Sequence, residues 1–518
     1  MNDKQRDGGD VMNKTSNELN RKRKFFYNSF AGLSRQLITL ICGFVLTRAM
    51  LVYYGSEING LVSSITQFLG FITFLEMGIG PVIQSNLYKP LAVGDRVSVS
   101  QIVKASENFF RKIAVIFIVY ILVLCFVFTS ITSTDADFIF TASLIVILSL
   151  SLLSQYFWGM TYQLLLNADQ KGYIQYILNS ATLIVNTVLC IMLMRLGMPI
   201  HVVRLVSASI YIFRPIFLNI YVKKHYQIDK HVSIVENPIK QKWNGFAQHL
   251  ASVVLDNTDV VVLTSMSTLT NVSIYTVYYS VVYGITQIVM TTVNSLEAMW
   301  GNMIAKDELP ELNESFGFIE WFIHSVVTVL FTATGALIAP FVIVYTNGVS
   351  DANYYQPLFG MLLAFAFGMQ CYRTPYARLV KAAGHYKQTQ NGAFISLSIN
   401  IITSVIFVKR FGLIGVALGT IAALTFHTLY FALYLRKNII KRNIYIFIKY
   451  IVTDICIMTC SILFVNLTIN TSVQGYIGWV GLAIKTTIEI LLVSVIINIL
   501  VNKKYTLLLA RKILRSKR

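Results

Sequence analysis

Residues 25–53 read FFYNSFAGLSRQLITLICGFVLTRAMLVY, from Phe25 to Tyr53, and a run this long and apolar can cross a bilayer, for which about 20 residues suffice. It nevertheless carries Arg35 and Arg48. An arginine near the centre of a membrane helix costs about 2.5 to 3.5 kcal/mol on insertion scales, so it faces a water-filled cavity, a partner or a substrate. The alternative is a side chain that snorkels to an interface. Both readings are open for Arg35, and for Arg48, which stands nearer the outer end.

The whole chain extends this pattern. Of its 518 residues 55% are hydrophobic and 13% charged, against about 25% charged in soluble domains, which implies an all-α polytopic membrane protein. A 20-residue window finds about 14 transmembrane helices, at 25–53, 58–83, 109–130, 138–162, 173–194, 201–222, 246–268, 272–300, 317–345, 355–372, 388–408, 412–435, 447–468 and 477–501. The net charge of +19 does not indicate nucleic acid. Thirty-five of the 43 Lys and Arg residues lie in the two tails and alternate loops, which predicts both termini in the cytoplasm by the positive-inside rule.

Other classes find no support. The six cysteines sit in or beside apolar runs without the paired spacing of a zinc or redox site. There is no Gly-Lys dipeptide and so no Walker A loop, and neither HExxH nor GxSxG occurs. No cofactor is implied. Membrane glycosyltransferases and polymerases need long loops for a catalytic site, which this chain lacks. Residues 25–53 are too long for a signal-peptide core and lead into further spans, so no cleavable signal is read. The polar segment from Met1 to Asn20 is expected to be disordered, and Met12 is an alternative start.

A repeat supplies the internal organisation. TYQLLLNADQKGYIQYILNSATLIVNTVLCIMLMRLG, from Thr161, matches TPYARLVKAAGHYKQTQNGAFISLSINIITSVIFVKRFG, from Thr374, at an offset of about 214. Tyr162 falls on Tyr376, Asn186 on Asn400 and Gly197 on Gly412. An offset of six spans gives two halves of equal topology, an arrangement that encloses a central substrate path in transporters. The expected division is a basic cytoplasmic tail (1–24), an N-lobe of spans one to six (25–222), a cytoplasmic linker (223–245), a C-lobe of spans seven to twelve (246–436), two extra spans (447–501) and a basic tail (502–518).

Two polar stripes mark candidate chemistry. On the seventh span His249, Ser252, Asp256 and Asp259 fall within an arc of about 80° at helical spacing. Intramembrane acids of this kind suit a proton or sodium site, or a counter-charge to the arginines, or a static ion pair. On the eighth, Tyr279, Tyr283, Gln287, Thr291, Asn294 and Glu297 fall within about 120°. Hydroxyls, amides and aromatic faces suit a sugar, although a tyrosine run also serves plain packing. Glu76 and Arg214 are further candidates, and Arg373 and Arg378, flanking Pro375 at the inner end of the tenth span, are read as markers of the interface.

Several motifs then resemble a known family. They are Thr47-Arg48-Ala49, Tyr54-Gly55, Asn59-Gly60-Leu61, Leu75-Glu76-Met77-Gly78-Ile79-Gly80, Leu166-Asn167-Ala168-Asp169-Gln170-Lys171, and Asp259 with Tyr275. Over nearly the whole chain they resemble Wzx-type polysaccharide flippases of the multidrug/oligosaccharidyl-lipid/polysaccharide exporter superfamily. The resemblance implies translocation of undecaprenyl-pyrophosphate-linked oligosaccharide by alternating access, with H⁺ or Na⁺ coupling, in a bacterial cytoplasmic membrane. It implies a capsule or exopolysaccharide pathway, with a polymerase and glycosyltransferases as partners. Arg48 matches the family's arginine and would face the pyrophosphate; Arg35 rests on depth alone. Fourteen spans resemble the lipid-linked sugar flippases, the lipid II type included, more than the twelve-span antiporters. The extra pair would form a groove for the polyprenyl tail. A multidrug-type antiporter and a non-transporting scaffold are the competing readings.

Overall fold

In lipid every backbone N–H and C=O must be satisfied within its own segment, so apolar windows of this length become helices. The computed structural model describes residues 3–76, 79–132, 137–229, 231–233, 246–294, 296–468 and 475–516, and among these it contains helices and no strand. Eleven described stretches are long and apolar enough to cross a membrane. Phe26–Glu76 covers the first expected window and most of the second; the windows at 246–268 and 355–372 fall on helices enriched in polar residues. Among the described residues, all fourteen windows therefore fall mainly on helical segments, and the chain is a multi-pass membrane protein.

Contacts divide the chain into two units, Met1–Tyr54 with Phe68–Phe246, and Gly55–Gln67 with Ala247–Arg518. The first unit holds α1 (Asp3–Gly70) up to Tyr54, a 3₁₀ turn (Phe71–Glu76), α2 (Ile79–Val93), α3 (Arg96–Ile131), α4 (Phe138–Trp158), α5 (Met160–Ala168), α6 (Gly172–Arg195) and α7 (Ile200–His225). The second holds residues 55–67, α8 (Phe246–Met266), α9 (Leu269–Asn294), α10 (Leu296–Ala305), α11 (Leu309–Tyr345), α12 (Pro357–Ala382), α13 (Tyr386–Phe411), α14 (Leu413–Asn438), α15 (Ile444–Thr468), α16 (Gly475–Val501) and α17 (Lys503–Ser516).

Two differences from expectation have local causes. Helix α1 begins at Asp3, inside the segment expected to be disordered; extending an existing helix avoids the cost of nucleation, and Lys, Arg, Gln and Glu are good helix formers. The second span is not one helix, because helical geometry passes to the 3₁₀ turn after Gly70 and resumes at Ile79 with Pro81 in the tolerant first turn.

Gly55 breaks α1 with φ 81° and ψ 176°. A Cβ there would stand 2.8 Å from Asp351 Oδ2. That carboxylate accepts the Ser56 backbone N–H at 2.6 Å and its hydroxyl at 2.8 Å, capping the restarted helix. Asn59 Nδ2 donates to Ser273 Oγ at 2.8 Å. The Gly55 and Asn59-Gly60 motifs thus have structural work inside the second unit.

The repeat is visible in each unit's own geometry. Lys171 N–H reaches Leu166 C=O at 2.8 Å, and His385 N–H reaches Val380 C=O at 3.2 Å. The left-handed residue of each turn is Gln170 (φ 57°) in one copy and Gly384 (φ 73°) in the other. Tyr162 Oη donates to Glu107 at 2.7 Å and Tyr376 Oη to Glu320 at 2.6 Å. In the first unit's turn, burial pushes the Asp169 carboxyl up, but Lys171 Nζ at 2.8 Å and the Tyr226 hydroxyl outweigh it and hold the group below its ordinary range.

Candidate functional site

The polar stripe on α9 borders a cavity of about 350 Å³ within the second unit. Tyr279, Tyr283 and Gln287, three of the residues singled out by helical spacing, line it together with Asp259. Tyr275, Tyr279 and Tyr283 recur at every fourth position, so their rings stack along the helix, with centroids 5.7 and 5.4 Å apart. Phe367 of α12 meets Tyr279 edge-on at 5.5 Å. Three amides complete the wall: Gln370, Gln67, and Asn257, which accepts a hydrogen bond from Gln67 Nε2. Aromatic surface beside several amides can bind a polyhydroxylated ring through its C–H faces and its hydroxyls.

Asp259 is 5% exposed and closes one end of the tyrosine stack. Tyr275 Oη donates to Oδ2 at 2.9 Å, and Thr420 Oγ1 of α14 lies 3.0 Å from Oδ1 and 2.9 Å from Oδ2. Asn400 Nδ2 of α13 donates to Thr420 at 3.2 Å. A buried carboxylate held by neutral donors can exchange a proton or take a small cation. Asn400 is the repeat's asparagine, whose partner the sequence did not identify. Its counterpart Asn186 likewise bonds the next helix, donating to Tyr211 Oη of α7 at 3.0 Å.

The first unit carries half-buried positive charge. Arg35 sits half-buried on α1 with its guanidinium 5.2 Å from the Tyr176 ring centre. Its Nε is buried without a hydrogen-bond partner among the described residues, and so is Arg204 Nε of α7. Arg214, one residue before Pro215 in α7, lies 4.3 Å from the Tyr211 ring centre and donates to Asn179 C=O at 3.1 Å. Arg35 and Arg214 are close enough to interact electrostatically. Like charges gathered in this way are costly unless an anion joins them, and guanidinium geometry fits phosphate oxygens. Arg48 is half-buried on the same helix as Arg35.

The remaining candidates are dispersed. Glu76 ends the 3₁₀ turn and accepts a hydrogen bond from Tyr156 Oη. Helix α9 ends at Asn294, so Glu297 belongs to α10, where it pairs with Arg378 at 2.9 Å. Arg373 Nη1 lies 3.1 Å from His427 Nδ1. The side chains of His249, Ser252, Asp256 and Asn294 lie outside the described residues. Sequence reasoning missed a second buried polar cluster, formed by Glu320, His324, Arg442 and Asp454. Its signal was three ionisable residues inside apolar windows.

No family model matches the chain, and no curated protein matches its sequence. Solved structures do. A lipid II flippase MurJ in an inward closed conformation aligns with TM-score 0.68 at 16% identity, over 92% of this chain and 98% of that one. An inward-facing multidrug resistance MATE family transporter of the MOP superfamily aligns with TM-score 0.54 at 11% identity, over 77% and 94%. A eukaryotic MATE transporter aligns with TM-score 0.51 at 13% identity, over 91% and 99%. At such identities the likeness establishes a shared fold.

Proposed function

We propose that the protein is a flippase that carries undecaprenyl-pyrophosphate-linked oligosaccharide across the bacterial cytoplasmic membrane by alternating access, with both termini in the cytoplasm. The observation that carries this reading is the half-buried pair Arg35 of α1 and Arg214 of α7, whose like charges act on each other. An exporter of cationic compounds gains nothing from such a site, whereas a pyrophosphate neutralises it. Arg48 adds a third guanidinium to this role. The tyrosine and glutamine wall of the second unit supports sugar contact. Asp259 is the coupling residue for H⁺ or Na⁺, with His249, Asp256 and Glu76 as further members. The pathway is that of a capsule, exopolysaccharide or other cell-wall polymer, in which glycosyltransferases supply the substrate and a polymerase consumes it.

Proteoliposomes loaded with fluorescent undecaprenyl-pyrophosphate oligosaccharide test the proposal, because a membrane-impermeant quencher reports the leaflet of the label. Wild type should move the label. The Arg35→Gln/Arg48→Gln double variant should slow it by at least about tenfold, the effect of losing charge-assisted contacts. The same variant should leave drug resistance of producing cells unchanged. Label movement at the wild-type rate in the double variant would refute the pyrophosphate role. Transport of lipid II with no transport of other oligosaccharides would reassign the cargo.

A further inference from the structure

Helix α11 carries Glu320 and His324 one turn apart, both 2% exposed, and α15 carries Asp454 at 3%. His324 Nδ1 stands 2.5 Å from Asp454 Oδ2, and its Nε2 stands 3.3 Å from Tyr376 Oη of α12. Tyr376 already donates its single proton to Glu320 Oε1 at 2.6 Å. Glu320 also pairs with Arg442, in the connection between α14 and α15. Thr328 Oγ1 lies 2.7 Å from Asp454 Oδ1 and 2.8 Å from Tyr372 Oη.

The donor count is decisive. With both carboxylates ionised and the tyrosine proton committed to Glu320, each imidazole nitrogen faces an acceptor, so both must carry hydrogen. Charge agrees, because Glu320, Asp454 and Arg442 sum to one negative charge, which one added proton cancels. Unbalanced charge is expensive at this depth. The Tyr372 ring stacks on the imidazole at 4.7 Å between centroids, with the Tyr450 ring 5.5 Å away, and aromatic faces favour a cation.

Other titratable groups in the surroundings are few among the described residues. They are Cys371, Tyr372 and Tyr376 from α12, Tyr450 from α15, Arg442 from the connection, Arg436 from α14 and Tyr505 from α17. Helix α16 contributes the neutral Asn498, which accepts from Trp321 Nε1 at 2.9 Å.

The repeat adds an independent observation. Glu107 and Arg111 of the first unit have the spacing of Glu320 and His324, and Arg111 acts electrostatically on Tyr162 just as His324 neighbours Tyr376. One copy therefore has a permanent cation where the other has a titratable one.

We propose that His324 and Asp454 form a proton-binding site whose proton holds α15 against α11. A cavity of about 20 Å³, reaching Glu320 beside Arg442 and Asn443, is the point of entry; it has room for roughly one water. That water takes a proton from bulk solvent as it passes one to Glu320 Oε1, which lets Tyr376 give its own proton to His324 Nε2 and take the new one from Glu320. Only O–H and N–H bonds change, and no electron is transferred. Loss of the proton leaves one imidazole nitrogen lone pair facing an oxygen acceptor, and α15 loosens. The site is independent of the cargo and of Asp259.

Hydrogen–deuterium exchange of Ile444–Thr468 tests this on the full chain in phosphatidylcholine nanodiscs, compared between about pH 5 and about pH 8. After correction for intrinsic chemistry, wild-type exchange should rise at least about tenfold across this range, as when one charge-assisted hydrogen bond is lost. His324→Gln, which donates without titrating, should give a flat profile, and so should Asp454→Asn. A flat wild-type profile, or a rise preserved in His324→Gln, would overturn the proposal. Neither result needs Asp454→Asn to fold.

Discussion

Thr420 holds its hydroxyl within hydrogen-bonding distance of both carboxylate oxygens of Asp259, at 3.0 and 2.9 Å. The two residues lie on α14 and α8, and the contact joins these helices inside the second unit. Thr420→Val keeps the volume but removes the donor, leaving a buried carboxylate one hydrogen bond short at a cost of about 1 to 3 kcal/mol. Thermal melting of the purified protein should fall by several degrees in Thr420→Val and recover in Thr420→Ser. Equal melting of the valine variant and wild type would show that the carboxylate does not depend on this hydroxyl.

Gln170 and Gly384 occupy one position of the repeated turn, and both are left-handed. A side chain at such a φ costs about 1 kcal/mol relative to glycine. A Cβ on Gly384 would meet nothing within 4 Å, so Gly384→Ala tests backbone strain alone and should cost about that amount. Gln170→Gly should be neutral or stabilising by a similar amount. Denaturant titration of both variants checks the pair, and destabilisation of Gln170→Gly would mean that the turn's side-chain contacts outweigh its backbone.

These cases mark what the sequence could and could not disclose. Apolar length alone places the helices, and helical spacing alone brings Tyr279, Tyr283 and Gln287 to one cavity wall. Tyr275 stood beside Asp259 as a motif of the sequence, but its other partner was hidden, because Thr420 and Asp259 are 161 residues apart and only tertiary packing joins them. Gly55 was legible as a motif but not as a kink, since its backbone is fixed by Asp351 from a distant loop. Glu320, His324 and Asp454 were overlooked for a different reason. Window averaging treats a span with one or two ionisable groups as simply apolar, and so discards the groups whose burial demands an explanation. The helix at the start of the chain escaped because propensity was judged without the formed helix that it extends.

Gly60 presents the closest backbone approach tied to a motif of the sequence. A Cβ built there would lie 1.8 Å from the Leu269 carbonyl oxygen and 2.6 Å from its carbonyl carbon. Both atoms are backbone at the start of α9, so no side-chain rotation can relieve the clash. The nearby bonds, Asn59 to Ser273 of α9 at 2.8 Å and Ser64 to Thr264 of α8 at 2.7 Å, tie residues 55–67 to both helices and oppose a compensating slide. Gly60→Ala should therefore cost at least the 1 to 3 kcal/mol of an overpacked core, roughly, despite the better helix propensity of alanine. Gly70→Ala is the control, because a Cβ there meets nothing within 4 Å. Melting temperatures in one detergent should fall for Gly60→Ala and hold or rise for Gly70→Ala. Equal stability of the two variants would mean that the approach of residues 55–67 to α9 is looser than the structure shows.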